Sequence, residues 1–371
     1  MLRPTTLVSA LIAFALISTH ALADIVIGQT AGFSGAVAGT VKEATDGAKL
    51  YFDAVNARGG VNGQQIQLVS MDDKFEPKLA ADNARELITK KNVIALFLTR
   101  GTPHNQLVMP LLSEYKVPLV APSTGAMVLH TPVHPWLFNV RATYQREADR
   151  AVRHLSLVGM TRIGIVQVDD TFGADAIKGA TTTFESLAKT PLFIEKYDRS
   201  KPDFSAIAPR VAAAEPQAVL FIGSGQAVVD GIAAIRKAGS RAQIVTLSNN
   251  ASAGFVKLLG ENARGTIVSQ VFPYERSMAS GIVKEARDLA KARGGEEITP
   301  AMIEGFAGAK VLVEGLKRAG PNPTRDKLRT ALETFRRVDI GGLEVSFSPT
   351  AHSGLDFVDL SIIGEDGKFR R

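Results

Sequence analysis

The chain predicts an α/β architecture of two doubly wound lobes, each a parallel sheet with helices on both faces. Three observations lead there. From residue 24 to about residue 270, apolar runs of strand length alternate with segments of helical periodicity, a rhythm that implies parallel sheets covered by helices. The rhythm breaks near 136–145 and then restarts. A chain of about 350 residues beyond its first segment also forms two cores more naturally than one.

Each element follows from local pattern. Residues 24–30 (DIVIGQT) read as a strand and Gly32-Phe33-Ser34-Gly35 as the turn after it. Residues 41–57 carry Ala44, Ala48, Tyr51, Phe52 and Val55 on one helical stripe. Arg58-Gly59-Gly60-Val61-Asn62-Gly63 punctuates the chain before a strand at 65–70. A helix at 77–90, a strand at 93–98, a helix at 104–115 and a strand at 117–121 complete the first set. After 136–141 the second set runs helix 145–158, strand 162–168, helix 173–188, strand 192–195, helix 204–214 and strand 218–222. It ends with helix 226–238, strand 243–247, helix 253–259 and strand 266–270. The tail changes character: helices at 277–292, 300–319 and 324–336 precede a hairpin-like end, in which residues 341–347 are answered by 355–362.

The first residues predict the compartment. Arg3, the apolar run Leu7 to Ile17 and the small-x-small end Ala21-Leu22-Ala23 have the form of a cleaved export signal. The run is about half the ~20 apolar residues that a membrane helix needs. Cleavage is expected after Ala23, leaving a periplasmic chain that starts at Asp24. With no cysteine, a lipid anchor at that position, disulfides and thiolate chemistry are all excluded. The formal charge is +6, and loss of Arg3 leaves +5. At this length that balance concerns solubility and a mild pull on anions, and in the expected compartment no nucleic-acid partner is expected. The basic run around Arg287 to Arg293 alternates with acids and reads as a solvated helix face. No cofactor is expected, and the chain is expected to be a monomer.

Ligands of open parallel sheets sit beyond the carboxyl ends of the strands, where loops offer N–H groups and helix N-termini. Four small, hydroxyl-rich loops fall there: Phe33-Ser34-Gly35, Arg100 to Pro103, Ala121 to Gly125 and Gly223-Ser224-Gly225. Such loops hold a carboxylate with uncharged donors, although each one alone also fits ordinary capping and turn chemistry. Phe33, Tyr144 and Phe172 offer apolar faces beside them, with core packing the other reading of Phe172. Arg100 and Arg141 either meet a ligand anion or form ion pairs of the surface or hinge.

Enzyme signatures are missing. There is no HExxH, GxSxG or GxxxxGK[ST], and Gly223-Ser224-Gly225 lacks the third glycine of a dinucleotide loop. The six histidines lack metal-ligand spacing. The pairs Asp72-Asp73 and Asp169-Asp170 read as caps and loop ties before they read as catalytic or metal carboxylates.

At Ser34-Gly35, Gly39, Gly47-Ala48, the run Asn56 to Gly63, Asp72-Asp73, Pro77, Pro118, Pro122-Ser123, Phe172-Gly173 and Asp203-Phe204, the chain resembles the branched-chain amino-acid type of ABC-transporter substrate-binding protein. The resemblance implies a type I periplasmic-binding fold, with lobes 24–141 plus 274–345 and 142–273 plus 346–371 joined by three crossovers. It implies a ligand in the cleft, closure by a hinge and docking on a membrane permease. It also implies that Thr102 and Ser123, with Gly125 or its neighbour Thr124, hold a ligand carboxylate. Phe33 stands where amino-acid binders often have an aromatic residue, and Phe172 where many have Tyr. Ser224 stands near another usual Tyr. Asn249 stands near the Glu that takes the ligand ammonium in leucine-type binders, and a neutral amide balances a buried ammonium poorly. The expectation is therefore an aromatic or related organic acid, with a branched-chain or other amino acid as the alternative.

Overall fold

The computed structural model describes residues 23–295 and 297–371, so the expected export signal lies outside the described residues except for Ala23. The first set of elements is β1 (Ile25–Ala31), α1 (Ala38–Asn56), β2 (Ile66–Asp72), α2 (Pro77–Thr89), β3 (Ala95–Phe97), α3 (Thr102–Glu114), β4 (Leu119–Val120) and β5 (Leu137–Phe138). The second is α4 (Tyr144–Leu157), β6 (Ile163–Val168), α5 (Thr171–Ser186), β7 (Ile194–Tyr197), α6 (Ile207–Ala213), β8 (Ala218–Ile222), α7 (Gln226–Lys237), β9 (Gln243–Thr246), α8 (Ala253–Leu259) and β10 (Ile267–Gln270). The tail holds α9 (Gly281–Ala292), α10 (Pro300–Ala319), α11 (Arg325–Glu333), β11 (Val338–Asp339), β12 (Glu344–Val345), β13 (Asp359–Ile363) and β14 (Phe369–Arg370).

The first sheet runs β2-β1-β3-β4-β5, with every pairing parallel. The second runs β14-β13-β10-β9-β8-β6-β7. Its segment β7-β6-β8-β9-β10 is parallel throughout and repeats the strand order of the first sheet. This is the doubly wound order whose switch point lies between the first and third strands. Strands buried on both faces have to be apolar throughout, and β6 (IGIVQV) and β8 (AVLFI) are fully buried.

The tail divides between the lobes. α9, α10 and α11 cover the first sheet: Ile282, Val283, Phe306, Leu312 and Leu328 share a core with Ile27, Phe52 and Phe97. β13 joins the second sheet antiparallel to β10, and β14 pairs with β13. The hairpin expected between 341–347 and 355–362 does not form. Gly341 and Gly342, at φ 111° and 87°, turn the chain so that β12 pairs with β11 instead, while the later segment completes the edge of the other sheet. The return to the second lobe also comes later than the expected 345/346 boundary. Phe347 packs on Phe138 at 5.4 Å, and Leu355 N–H donates to Val140 O at 3.0 Å, so the chain stays on the first lobe through Leu355.

α1 and α10 cross almost backbone to backbone. A Cβ added at Gly47 would lie 2.0 Å from Met302 O, and one at Gly305 would lie 1.7 Å from Ala44 O. Neither helix can yield without moving off the first sheet. Gly305→Ala is therefore expected to lower stability by about 3 kcal/mol or more, read as a lower midpoint of thermal or urea unfolding.

Candidate functional site

The loops at the carboxyl ends of both sheets face one another across a small, narrow cavity. The first lobe lines it with Phe75, Arg100, Gly101, Thr102 and Ser123, and the second with Tyr144, Phe172, Arg199, Ser224 and Asn249. Arg100 leaves β3 and is 4% exposed. Its Nη1 donates to Ser123 Oγ at 3.1 Å, and its Nη2 donates across the cleft to the Asn249 carbonyl at 2.5 Å. Burial holds its pKa below the usual arginine value, and no carboxylate pairs with it among the described residues. Gly101, at φ 91°, turns the chain into α3, whose N-terminus no side chain caps. On the other side, Asn249 Nδ2 donates to Gly223 O and Ser224 Oγ, both at 2.9 Å. Its Oδ1 is left buried and without a partner. The site thus offers a cation, hydroxyls and an open helix end to one group of a ligand, and a fixed acceptor to another.

Of the residues singled out from sequence, Arg100, Thr102, Ser123, Tyr144, Phe172, Ser224 and Asn249 line this cavity. Tyr144 and Phe172 pack ring on ring at 4.6 Å, making its apolar wall. Thr124 lies one layer behind, its hydroxyl 2.9 Å from that of Thr102. Gly125 is a crossover position: its carbonyl accepts from Tyr144 N–H at 2.8 Å, and a Cβ there would meet Ala142 O at 2.6 Å. Phe33 lies off the cavity, against the small cluster of Ala31, Val37 and Val41, and the aromatic group on that side is Phe75. Arg141 is also away from the lining and is committed to other partners. Gly101 belongs to the loop Arg100 to Pro103 read from the sequence, whereas Phe75 and Arg199 have no sequence signal of their own. Phe75 and Arg199 follow the second strand of each lobe, β2 and β7, and the repeated strand-helix plan was the available signal for them. Asp169-Asp170 and Asp72-Asp73 tie loops: Asp170 caps α5 by accepting from Phe172 and Gly173 N–H, and Asp72 accepts from Ser34 and Lys74.

The lobes meet along a seam beside the cavity. Glu43 on α1 accepts from Gly254 N–H at 2.7 Å and Ala253 N–H at 3.0 Å, at the start of α8. Thr40 Oγ1 and Ser252 Oγ are 2.8 Å apart, and a Cβ added to Gly39 would lie 3.3 Å from Gly254 Cα. A more open groove along α9 is lined by Arg276, Asp288, Lys291 and Glu297. Its charges partly neutralise one another, with Arg276 and Lys368 both on Glu297 at 2.5 and 2.6 Å, unlike Arg100 in the cleft.

The family model for periplasmic binding protein matches residues 24–356. A Leu/Ile/Val-binding protein homolog 3 of Brucella melitensis is 26% identical over 368 residues, covering 95% of this chain and 94% of the relative. An amino acid binding protein of Pseudomonas aeruginosa is 26% identical over 212 residues, with 56% of each chain covered. The crystal structure of a substrate-binding periplasmic protein from Ralstonia solanacearum superposes with a TM-score of 0.86 at 31% identity, covering 93% of this chain and 99% of that one. The chain belongs to the periplasmic binding protein family, and its nearly full-length relatives include Leu/Ile/Val-binding proteins. It is a periplasmic solute-binding protein rather than an enzyme. No helix among the described residues is long and apolar enough to cross a membrane.

Arg141 lies where the chain passes from the first sheet to the first helix of the second lobe. It is 1% exposed, forms an ion pair with the fully buried Glu147 of α4, and lies 3.6 Å from Glu304 of α10. Its Nη2 also donates to Ser248 Oγ at 2.7 Å. Glu147 accepts further from Ser248 N–H at 2.8 Å and Ser269 Oγ at 2.5 Å. Burial opposes the arginine charge, and the carboxylates of Glu147 and Glu304 outweigh it, so the pKa stands above the ordinary value. Removing one partner strands a buried charge. Glu147→Gln is therefore expected to cost about 3–5 kcal/mol, measured by urea unfolding of the unliganded protein.

Proposed function

We propose that the receptor carries a small branched aliphatic amino acid, with its carboxylate at Arg100, Thr102 and Ser123 and its ammonium at Asn249 Oδ1. The observation that carries this reading is the buried guanidinium of Arg100, which faces the cavity without a carboxylate partner among the described residues. A desolvated cation beside two hydroxyls and an open helix N-terminus favours a ligand that brings the missing anion. The Tyr144–Phe172 wall supports an apolar body, and the small cavity supports a short one.

The choice of an amino acid draws on the relatives. Those that match nearly the whole chain, from Brucella melitensis and Rhizobium johnstonii, carry names for leucine, isoleucine and valine binding. They shift the balance away from the aromatic acid expected from the sequence. One observation favours a carboxylate without an ammonium as a second reading: no acidic side chain lines the cavity, and the nearby Asp170 is committed to Arg199 and to the cap of α5. Asn249 would then accept from a hydroxyl.

Calorimetry decides between these two. Leucine, isoleucine or valine binding more tightly than isovalerate and benzoate supports the first reading, and binding of the acids alone removes it. Arg100→Met is expected to weaken whichever ligand binds by about 100-fold. We also propose that export removes the leader after Ala23. N-terminal sequencing of the periplasmic protein should begin at Asp24, and any other start overturns that position.

A further inference from the structure

We propose that Phe75 and Arg199 form a lid over the cavity, one residue from each lobe, that sets the longest ligand the closed receptor accepts. The proposal rests on the small-ligand reading above and adds the groups that limit size.

Phe75 is held where an aromatic residue does not sit by default. It stands in the β2–α2 turn at φ 61°, beside Lys74 at φ 52°, and a bulky side chain in this left-handed region is strained. The adjacent acids impose the conformation. Asp73 Oδ1 accepts from Phe75 N–H at 2.9 Å, while its Oδ2 accepts from Thr30 Oγ1 at 3.0 Å. Asp72 Oδ1 accepts from Lys74 N–H at 2.8 Å. The two aspartates hold no metal-type cluster among the described residues, and what they accomplish is to aim the ring at the cavity it lines.

The ring has a partner on each lobe. It stacks on His104 of α3 with centroids 4.4 Å apart and planes at 22°. Burial pushes His104 down to about 4, so the imidazole is neutral and does not compete with a cation at the ring. From the second lobe, the Arg199 guanidinium lies 5.1 Å from the Phe75 centroid. Asp170 fixes it through Nε at 2.5 Å and stays in place because its other oxygen caps α5. Thr171 Oγ1 donates to Gln106 Oε1 at 2.6 Å across the same opening. Ring and guanidinium therefore meet only when the lobes are together. A short ligand leaves that contact intact. A longer one has to displace the ring or hold the lobes apart, and loses the cation–π attraction either way.

The test is a size series measured by calorimetry and stopped-flow on the mature protein. Alanine, valine, leucine, phenylalanine and tryptophan are compared with propionate, isovalerate, 4-methylvalerate, 3-phenylpropionate and indole-3-propionate. The lid predicts a drop of about tenfold or more in affinity between the leucine-sized and phenylalanine-sized members of whichever series binds. Arg199→Ala and Phe75→Ala should each flatten that step to less than about threefold and speed release of the leucine-sized ligand about tenfold, with Arg199→Lys restoring part of it. Phe75→Ala leaves the Asp170 pair untouched and serves if Arg199→Ala does not fold. If only the carboxylates bind, the amino-acid reading falls while the lid is still measured. A wild type without the size step, variants that keep it unchanged, or no binding by either series overturns the lid.

Discussion

The structure depends on a buried cation at the place where its strands change lobes. Arg141 follows the first sheet, Glu147 opens the second lobe, Ser248 and Ser269 come from the ends of β9 and β10, and Glu304 lies on a helix that covers the first sheet. Segments far apart in the chain are gathered onto one guanidinium and one carboxylate that water cannot reach. Two lobes joined by several strands would otherwise be free to slide as well as hinge. A charge pair this deeply buried tolerates little relative displacement, because any gap leaves an unpaired charge.

With the pivot fixed, the cleft works by a different principle. Its polar groups are left partly unsatisfied on the ligand side and fully engaged on the protein side. Asn249 shows this in one residue: both bonds of its amide nitrogen are made within its own lobe, and its oxygen is left open. Arg100 is similar, since it reaches Ser123 and the Asn249 carbonyl but has no counter-ion among the described residues. A solute that completes both sets of interactions joins groups that belong to different lobes, which couples binding to closure.

Most of the fold was legible because strand and helix each have a period, and a chain that alternates between them has few ways to pack. β8, α8 and α10 fall where the pattern places them. The tail was less legible, since two-residue strands such as β11 and β12 have no period to read and their pairing depends on the Gly341-Gly342 turn. In the cleft, the hydroxyl loops announced themselves by composition and position. Arg141 did not declare its role, because an arginine beside a cleft and one beneath it look alike until burial is known. Phe75 and Arg199 stayed hidden for a related reason. Nothing local distinguishes them, and only the opposition of two equivalent loops brings a ring from one lobe under a guanidinium from the other.

The seam between α1 and α8 has a consequence for signalling. Gly39 and Gly254 bring main chain against main chain, without side chains between them to compress or rearrange. That contact leaves no room for α1 and α8 to come closer than they do here. If the lobes draw together around a solute, backbone rather than side chains limits their approach at this seam, so cargoes of different shape would leave the outer faces in the same relation.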